Sequence, residues 1–167
     1  GTTVTSNEGL PRARLLFLTP QLPFPPEQGA AIRNYNLIAQ VSRHHTVDLL
    51  SFAPAQGAAP GPLARLCEIV RTVPPPPWPP HARLRSLLTS RLPDMAHRLR
   101  SSALAAALGE LLSARRYDLV QIEGIEMAPY IQVVRERLGE GGPPLVYDAH
   151  NAEHLLQRRA YETDLRQ

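Results

Sequence analysis

The sequence predicts an α/β protein with a doubly wound parallel sheet of the Rossmann-like type. Short continuous apolar runs, such as RLLFLT at 14–19 and TVDLLSF at 46–52, are typical of strands that are buried on both faces of a parallel sheet. These runs alternate with stretches of helical periodicity, as expected when helices connect parallel strands. With 167 residues, of which 43% are hydrophobic and 20% charged, the chain has the size and composition of one globular domain.

The first half of the chain contains three predicted strands. They are expected over residues 14–19, 46–52 and 67–73. The loop over 20–29 holds four prolines and must be irregular but stiff, because proline fixes φ and donates no backbone hydrogen bond. An amphipathic helix is predicted over 30–43, directly behind Gly29, with Ala31, Tyr35, Ile38 and Val41 as its apolar positions.

The second half predicts two more strands and three helical segments. After the PPPPWPP run, which we expect to be an extended connector, the elements in order are a helix over 82–116 split at Pro93, a strand over 118–123, a helix over 125–138, a strand over 145–148 and a helix over 150–164. Residues 1–11 are expected to be a disordered tail, and residues 12–167 one Rossmann-like domain.

Composition excludes several classes of protein. No apolar run approaches the roughly 20 residues that cross a bilayer. The single cysteine, Cys67, is expected to be a buried small hydrophobic residue; it cannot form an intrachain disulfide, which favours the cytoplasm. Basic and aromatic residues are not interleaved as in a base-stacking surface, so no nucleic-acid partner is expected. Residues 81–116 carry seven arginines and two acids; this stretch is a solvated face or a peripheral contact with an anionic membrane surface.

Candidate ligand-binding residues follow three of the predicted strands. Ligands of open parallel sheets bind outside the carboxyl ends of the strands. Gly29 and Ala30 open the first helix, where free backbone N–H groups suit a phosphate; the alternative is that Gly29 only turns the chain. Glu123 and Gly124 follow the fourth strand, and Glu123 is equally suited to capping a helix. The polar run from Asp148 to Asn151 follows the fifth, and its His150 can exchange hydrogen bonds with a hydroxyl-rich ligand.

Missing motifs narrow the chemistry. The first strand is not followed by the G-x-G-x-x-G of a nicotinamide-binding domain, and Phe52 and Ala53 stand where an acidic residue would hold the ribose. The sequence also lacks a phosphate-binding G-x-x-x-x-G-K-[ST], the G-x-S-x-G of esterases and a D-x-D pair for a metal-bound diphosphate. We therefore expect no cofactor and no metal site.

Three segments together resemble the amino-terminal half of family 4 retaining glycosyltransferases of the GT-B fold, especially those of bacterial exopolysaccharide biosynthesis. The segments are RLLFLTPQLPFPPEQGAAIRNYNLIAQVSRHHTVDLLSF, DLVQIEG and LVYDAHNAEHLLQRR. In that family two Rossmann-like domains face a cleft: the first mostly binds the acceptor, and the second holds the nucleotide-sugar donor. The resemblance implies that this chain is an acceptor-side domain, inactive as a fragment, whose partner is its own carboxyl-terminal domain, which these residues do not include.

The resemblance also implies roles for individual residues. Gly29 and the Ala30 amide would approach the donor diphosphate, and His150 would lie beside the donor sugar near the reacting carbon. Arg33 and Asn151 would help to shape the cleft. The family often has two consecutive glycines where this chain has Gly29 and Ala30.

Two alternatives to the glycosyltransferase remain open at the level of sequence. One is half of a GT-B-like nucleotide-sugar epimerase, which would need no acceptor. The other is a non-catalytic module that binds a ligand or protein through the polyproline run or the arginine-rich stretch. The substrates expected for the leading interpretation are a nucleotide-sugar donor and a glycan or lipid-linked acceptor.

Overall fold

The computed structural model describes residues 11–55, 58–77 and 99–149 and contains a five-stranded sheet in which every neighbouring pair is parallel. The strands are β1 Arg14–Thr19, β2 Thr46–Phe52, β3 Ile69–Val73, β4 Leu119–Glu123 and β5 Leu145–Asp148. Their order across the sheet is β3-β2-β1-β4-β5. The chain therefore winds outward from β1 first to β3 and then to β5, which confirms the doubly wound α/β prediction.

Helices cover both faces of the sheet. Those described are α1 Gly29–Val41, α2 Leu63–Leu66, α3 Ser102–Ala114, a 3₁₀ turn Ile125–Met127 and α4 Tyr130–Leu138. On one face α1 and α2 pack over alternate strand residues, including Phe17 and Leu49. On the other face α3 and α4 pack over the intervening residues, including Leu18 and Ile122. This alternation follows from the two-residue repeat of side chains along a strand.

Most predicted boundaries agree with the structure, and two helices do not. The piece predicted behind Pro93 is not helical over residues 99–101: α3 begins at Ser102, where the Ser101 hydroxyl caps the helix by accepting a hydrogen bond from the Leu104 amide. The segment predicted as a continuous helix over 125–138 is a 3₁₀ turn followed by α4, with Pro129 at the α4 N-cap. Proline has no N–H to donate within a helix and its ring crowds the preceding turn, so the helix restarts there. The third strand begins at Ile69 rather than at Cys67, because Cys67 ends α2; Cys67 is buried, as predicted.

Some predictions fall outside the described residues. They concern the tail before Pro11, the end of the polyproline run, the first helical piece before Pro93 and the helix over 150–164. Among the residues that the structure does describe, no helix is long and apolar enough to span a membrane.

A polar network at the amino edge of the sheet ties distant parts of the chain together. The Asp48 side chain is fully buried, and its Oδ2 accepts hydrogen bonds from the Tyr117 hydroxyl at 2.8 Å and from Arg14 Nη1 at 3.3 Å. Glu68 pairs with Arg14 at 3.0 Å and with Arg115 at 2.8 Å. A buried carboxylate needs such donors, because an unpaired buried charge is strongly destabilising.

Candidate functional site

The candidate site lies at the carboxyl edge of the sheet, where β1 and β4 are neighbours. The chain leaves β1 toward β2 on one side, and the later strands β4 and β5 lie on the other. This is the topological switch point, at which parallel sheets leave a crevice for ligands. The proline-rich loop and Gly29, the first residue of α1, follow β1 at this edge.

Four polar side chains form one row across this edge, which we call the polar row: Ser51, Thr19, Glu123 and Asp148. Thr19 pairs with Ser51, and Glu123 with Asp148. Ile122 pairs with Leu18, so the residues that follow them, Glu123 and Thr19, lie at the same level.

The polar row faces α1. Side chains two positions apart in a strand share a face, so Thr19 and Ser51 lie on the same face as Phe17 and Leu49, which pack under α1. Glu123 follows Ile122, which packs on the opposite face, so Glu123 also lies on the α1 face. The row therefore extends over four adjacent strands on one face, at the point where the crevice is expected.

Short hydrogen bonds fix the buried members of the polar row. The Thr19 hydroxyl donates to Ser51 Oγ at 2.8 Å, and the Ser51 hydroxyl lies 3.0 Å from the Phe52 carbonyl oxygen. Glu123 Oε1 accepts from Gln121 Nε2 at 2.6 Å. Thr19, Ser51 and Glu123 are fully buried, so Glu123 lies beneath the edge rather than exposed in the crevice.

The end of β4 is joined to the end of β5 through Gly124. Its amide donates to the Asp148 carbonyl oxygen at 2.7 Å, and its backbone has φ 89° and ψ 148°. Residues other than glycine are strongly disfavoured in this conformation. Gly124 therefore has a backbone reason to be glycine, separate from the predicted role in ligand binding.

The first turn of α1 presents free amide groups at the same edge. Gln28 precedes the helix in an extended conformation, and neither a capping side chain nor an acidic residue occupies the first turn in the described structure. The first backbone N–H groups of a helix have no intrahelical acceptor, and the helix dipole is positive there. Within the described ranges, a methyl group added to Gly29 would meet no atom within 4 Å beyond the adjoining residues and its own helix backbone, so there is open space beside this residue.

Arg33 connects α1 to the polar row. Its guanidinium forms an ion pair with Asp148, with Nη1 3.4 Å from Oδ1 and a second contact between Nη2 and Oδ2. The Arg33 side chain is 48% exposed and Asp148 31% exposed. The pair places one positive and one negative charge at the rim of the crevice, where an incoming anion would compete with Asp148 for Arg33.

Tyr147 precedes Asp148 in β5, so its side chain lies on the opposite face of the sheet from the polar row. Burial raises its pKa, and the negative charges of Glu126 and Asp148 raise it further. The hydroxyl therefore stays protonated at neutral pH and is available as a donor.

Asn34 is a buried polar residue that the sequence did not single out. It is 1% exposed, and neither atom of its amide group has a hydrogen-bond partner among the residues that the structure describes. The residues of α1 that face the sheet are Ala31, Asn34 and Ile38, whereas Tyr35, predicted as apolar and inward, is only half-buried. A helical side chain leans toward the N-terminus of its helix, so the Asn34 amide lies beneath the first turn of α1.

The structure therefore brings Gly29, Ala30, Arg33, Glu123 and Gly124 to one edge of the sheet. The two remaining predicted residues, His150 and Asn151, lie outside the described residues. Sequence reasoning missed Thr19, Ser51 and Asn34. A polar residue ending an apolar strand was the available signal for the first two; Asn34 gave none, because a polar residue in an amphipathic helix is normally exposed.

Within the described ranges, His, Cys, Asp and Glu side chains form no group of three or more that could hold a metal ion. No protein-family model, curated protein or solved structure matches the chain.

Proposed function

We propose that this chain is the amino-terminal, acceptor-side domain of a retaining glycosyltransferase, which transfers a sugar from a nucleotide-sugar donor to a glycan or lipid-linked acceptor. The observation that carries the proposal is the uncapped first turn of α1, open at Gly29, beside the topological switch point. The resemblance of the three sequence segments to family 4 enzymes gives this edge its specific chemistry.

The proposed chemistry requires stabilisation of a leaving diphosphate. Negative charge grows on the diphosphate as the bond to the sugar breaks, and preorganised N–H groups and positive charge lower the energy of that state. The amides of Gly29 and Ala30 and the dipole of α1 supply such groups. Arg33 supplies a full positive charge if the diphosphate replaces Asp148 as its partner.

The polar row would bound the acceptor side of the crevice. Glu123 is buried and held by Gln121, so we assign it to positioning rather than to direct proton transfer. On the basis of the resemblance alone, His150 is assigned to contact with the donor sugar near the reacting carbon, and Asn151 to shaping of the cleft. His150→Ala should lower turnover by about a hundredfold or more, because a group beside the reacting carbon is lost.

The test of the function is a transfer assay with the product of the complete reading frame that encodes this chain. Labelled nucleotide-sugars are offered with and without a glycan or lipid-linked acceptor, and the anomeric configuration of the product is read by NMR. Acceptor-dependent transfer with retention supports the proposal. Acceptor-independent change of the sugar would indicate the epimerase, and no turnover of any donor would indicate a non-catalytic module.

Gly29→Ala tests the proposed diphosphate contact within that assay. The added methyl group has free space in the unliganded chain but would obstruct a phosphate on the amide, so KM for the donor should rise about tenfold or more. Gly141→Ala is the matched control: an added Cβ at Gly141 also has no described atom within 4 Å, but Gly141 precedes β5 at the opposite edge of the sheet. Equal KM values for both variants would contradict the contact.

A further inference from the structure

A second concave site lies at the same edge of the sheet, on the far side of the polar row from β5. It is a pocket of about 380 Å³ between the loops that follow β1 and β2. It is lined by Gln21, Leu22, Phe24, Pro25, Phe52, Pro54, Ala58 and Ala59. The proposed transfer chemistry does not use this pocket.

The lining of the pocket selects an uncharged, apolar occupant. Among its described lining residues, Gln21 alone has a polar side chain and none is charged. Such a surface cannot replace the water around a phosphate or a sugar ring, whose polar groups would lose their hydrogen bonds on entry. An alkyl or similar hydrocarbon group gains free energy there in proportion to the apolar area removed from water.

The walls of the pocket are held in place from behind. The Phe24 ring packs on Tyr35 of α1, with ring centroids 6.1 Å apart, and Phe52 packs on Tyr130 of α4 at 6.4 Å. Gly61 brings the second loop against Phe24, since a side chain at this position, where φ is 52°, would collide with that ring. A pocket that is shaped before binding spends less free energy on ordering its walls.

The position of the pocket points to an amphipathic ligand. Gln21 lies two residues beyond Thr19, and Phe52 directly follows Ser51, so the apolar pocket adjoins the hydroxyl end of the polar row. Its volume is near the lower end of small-molecule sites, which span roughly 300–1,000 Å³, and is too small for a peptide helix. We propose that the pocket binds the hydrocarbon portion of the acceptor, whose polar portion then lies along the carboxyl edge.

The identification of the ligand as an acceptor rests on the proposed function, but the binding of a hydrocarbon group in this pocket can be tested separately. The probes are methyl, butyl, hexyl and octyl β-D-glucopyranoside, each kept below its critical micelle concentration and titrated into the full 167-residue chain. Each methylene that enters the pocket should lower Kd by up to about fourfold, giving a fall of about tenfold or more from butyl to octyl. The binding site is mapped from the shifts of the Leu22, Phe24 and Ala59 amide signals in NMR spectra.

A charged variant and its control test the location. Ala59→Asp places a carboxylate at the pocket and should abolish the dependence on chain length. Ala103→Asp makes the same change at an exposed site in the first turn of α3, where an acid is tolerated, and should retain it. If Ala59→Asp fails to fold, the shift map of the unchanged chain decides between the outcomes.

The outcomes separate the two proposals. The proposed hydrocarbon site is refuted if affinity does not depend on the length of the alkyl chain, or if that dependence is retained in Ala59→Asp. The proposed function is then tested by the transfer assay alone. If affinity depends on chain length with shifts confined to the pocket, but the product of the complete reading frame transfers no sugar, the hydrocarbon site is supported and the glycosyltransferase is refuted.

Discussion

Removal of the Tyr117 hydroxyl should destabilise the protein measurably without disturbing its packing. Tyr117 is 4% exposed and donates to Asp48 Oδ2 at 2.8 Å, and Asp48 is fully buried. Tyr117→Phe keeps the ring, so no cavity forms, but the buried carboxylate loses its shorter hydrogen bond and retains Arg14 at 3.3 Å. A hydrogen bond to a charged group contributes about 1.5–3 kcal/mol to stability. The free energy of unfolding should fall by that amount, and Tm by roughly 3–12 °C.

Urea unfolding followed by circular dichroism measures this change. Tyr35→Phe is the control, because the Tyr35 hydroxyl makes no hydrogen bond within the part of the chain that the structure describes; its effect should stay within about 0.5 kcal/mol. In an Asp48→Asn background the cost of Tyr117→Phe should drop to about 1 kcal/mol, since the acceptor is then neutral. Equal effects of the two tyrosine variants, or no coupling between Tyr117 and Asp48, would refute the argument.

Four further predictions concern single residues. Burial raises the pKa of Cys67 from 9.0 to about 12, which lowers the fraction of reactive thiolate at pH 8. Alkylation of Cys67 at pH 8 should therefore be about a thousandfold slower in the folded chain than in urea, and fast labelling of the folded chain would contradict that burial. Gly124→Ala should lower the free energy of unfolding by about 1–3 kcal/mol, because φ is 89°, whereas Gly29→Ala, at a helical position with free space, should raise it by about 0.4–1 kcal/mol. Asn34→Leu should stabilise the chain by about 1–3 kcal/mol, because it removes two buried polar atoms that have no partner among the described residues; a loss of stability would show that the amide is satisfied. Hydrogen bonds from two arginines lower the pKa of Glu68 below 4.5. The unchanged chain should therefore be more stable than Glu68→Gln by its full margin above pH 4.5, and this margin should shrink as the pH falls below 4.5. A difference in urea midpoint that does not vary with pH would refute this.

The sequence was sufficient for the candidate site wherever a residue's role depends on its neighbours in the chain. Gly29 was identified because it separates a proline-rich loop from a helical pattern, and Glu123 because it ends a strand. Asn34 could not be identified in this way. Asn34 is buried because of the way α1 is rotated about its axis against the sheet. The weakly amphipathic sequence of α1 does not define which of its faces is turned inward.

The sequence by itself determined the kind and order of the secondary-structure elements, because apolar periodicity, proline and glycine act over a few residues. RLLFLT and TVDLLSF form the strands that their patterns predict, and Pro129 is the local signal for the restart of the last described helix. Tertiary structure alone decided which strands became neighbours. The pairing of β1 with β4, which are separated by about a hundred residues in the chain, brings Thr19 and Glu123 to the same level of the sheet. The same pairing brings Tyr117 to Asp48. Such pairing is selected by the burial of the whole sheet between two layers of helices, and local sequence carries no record of it.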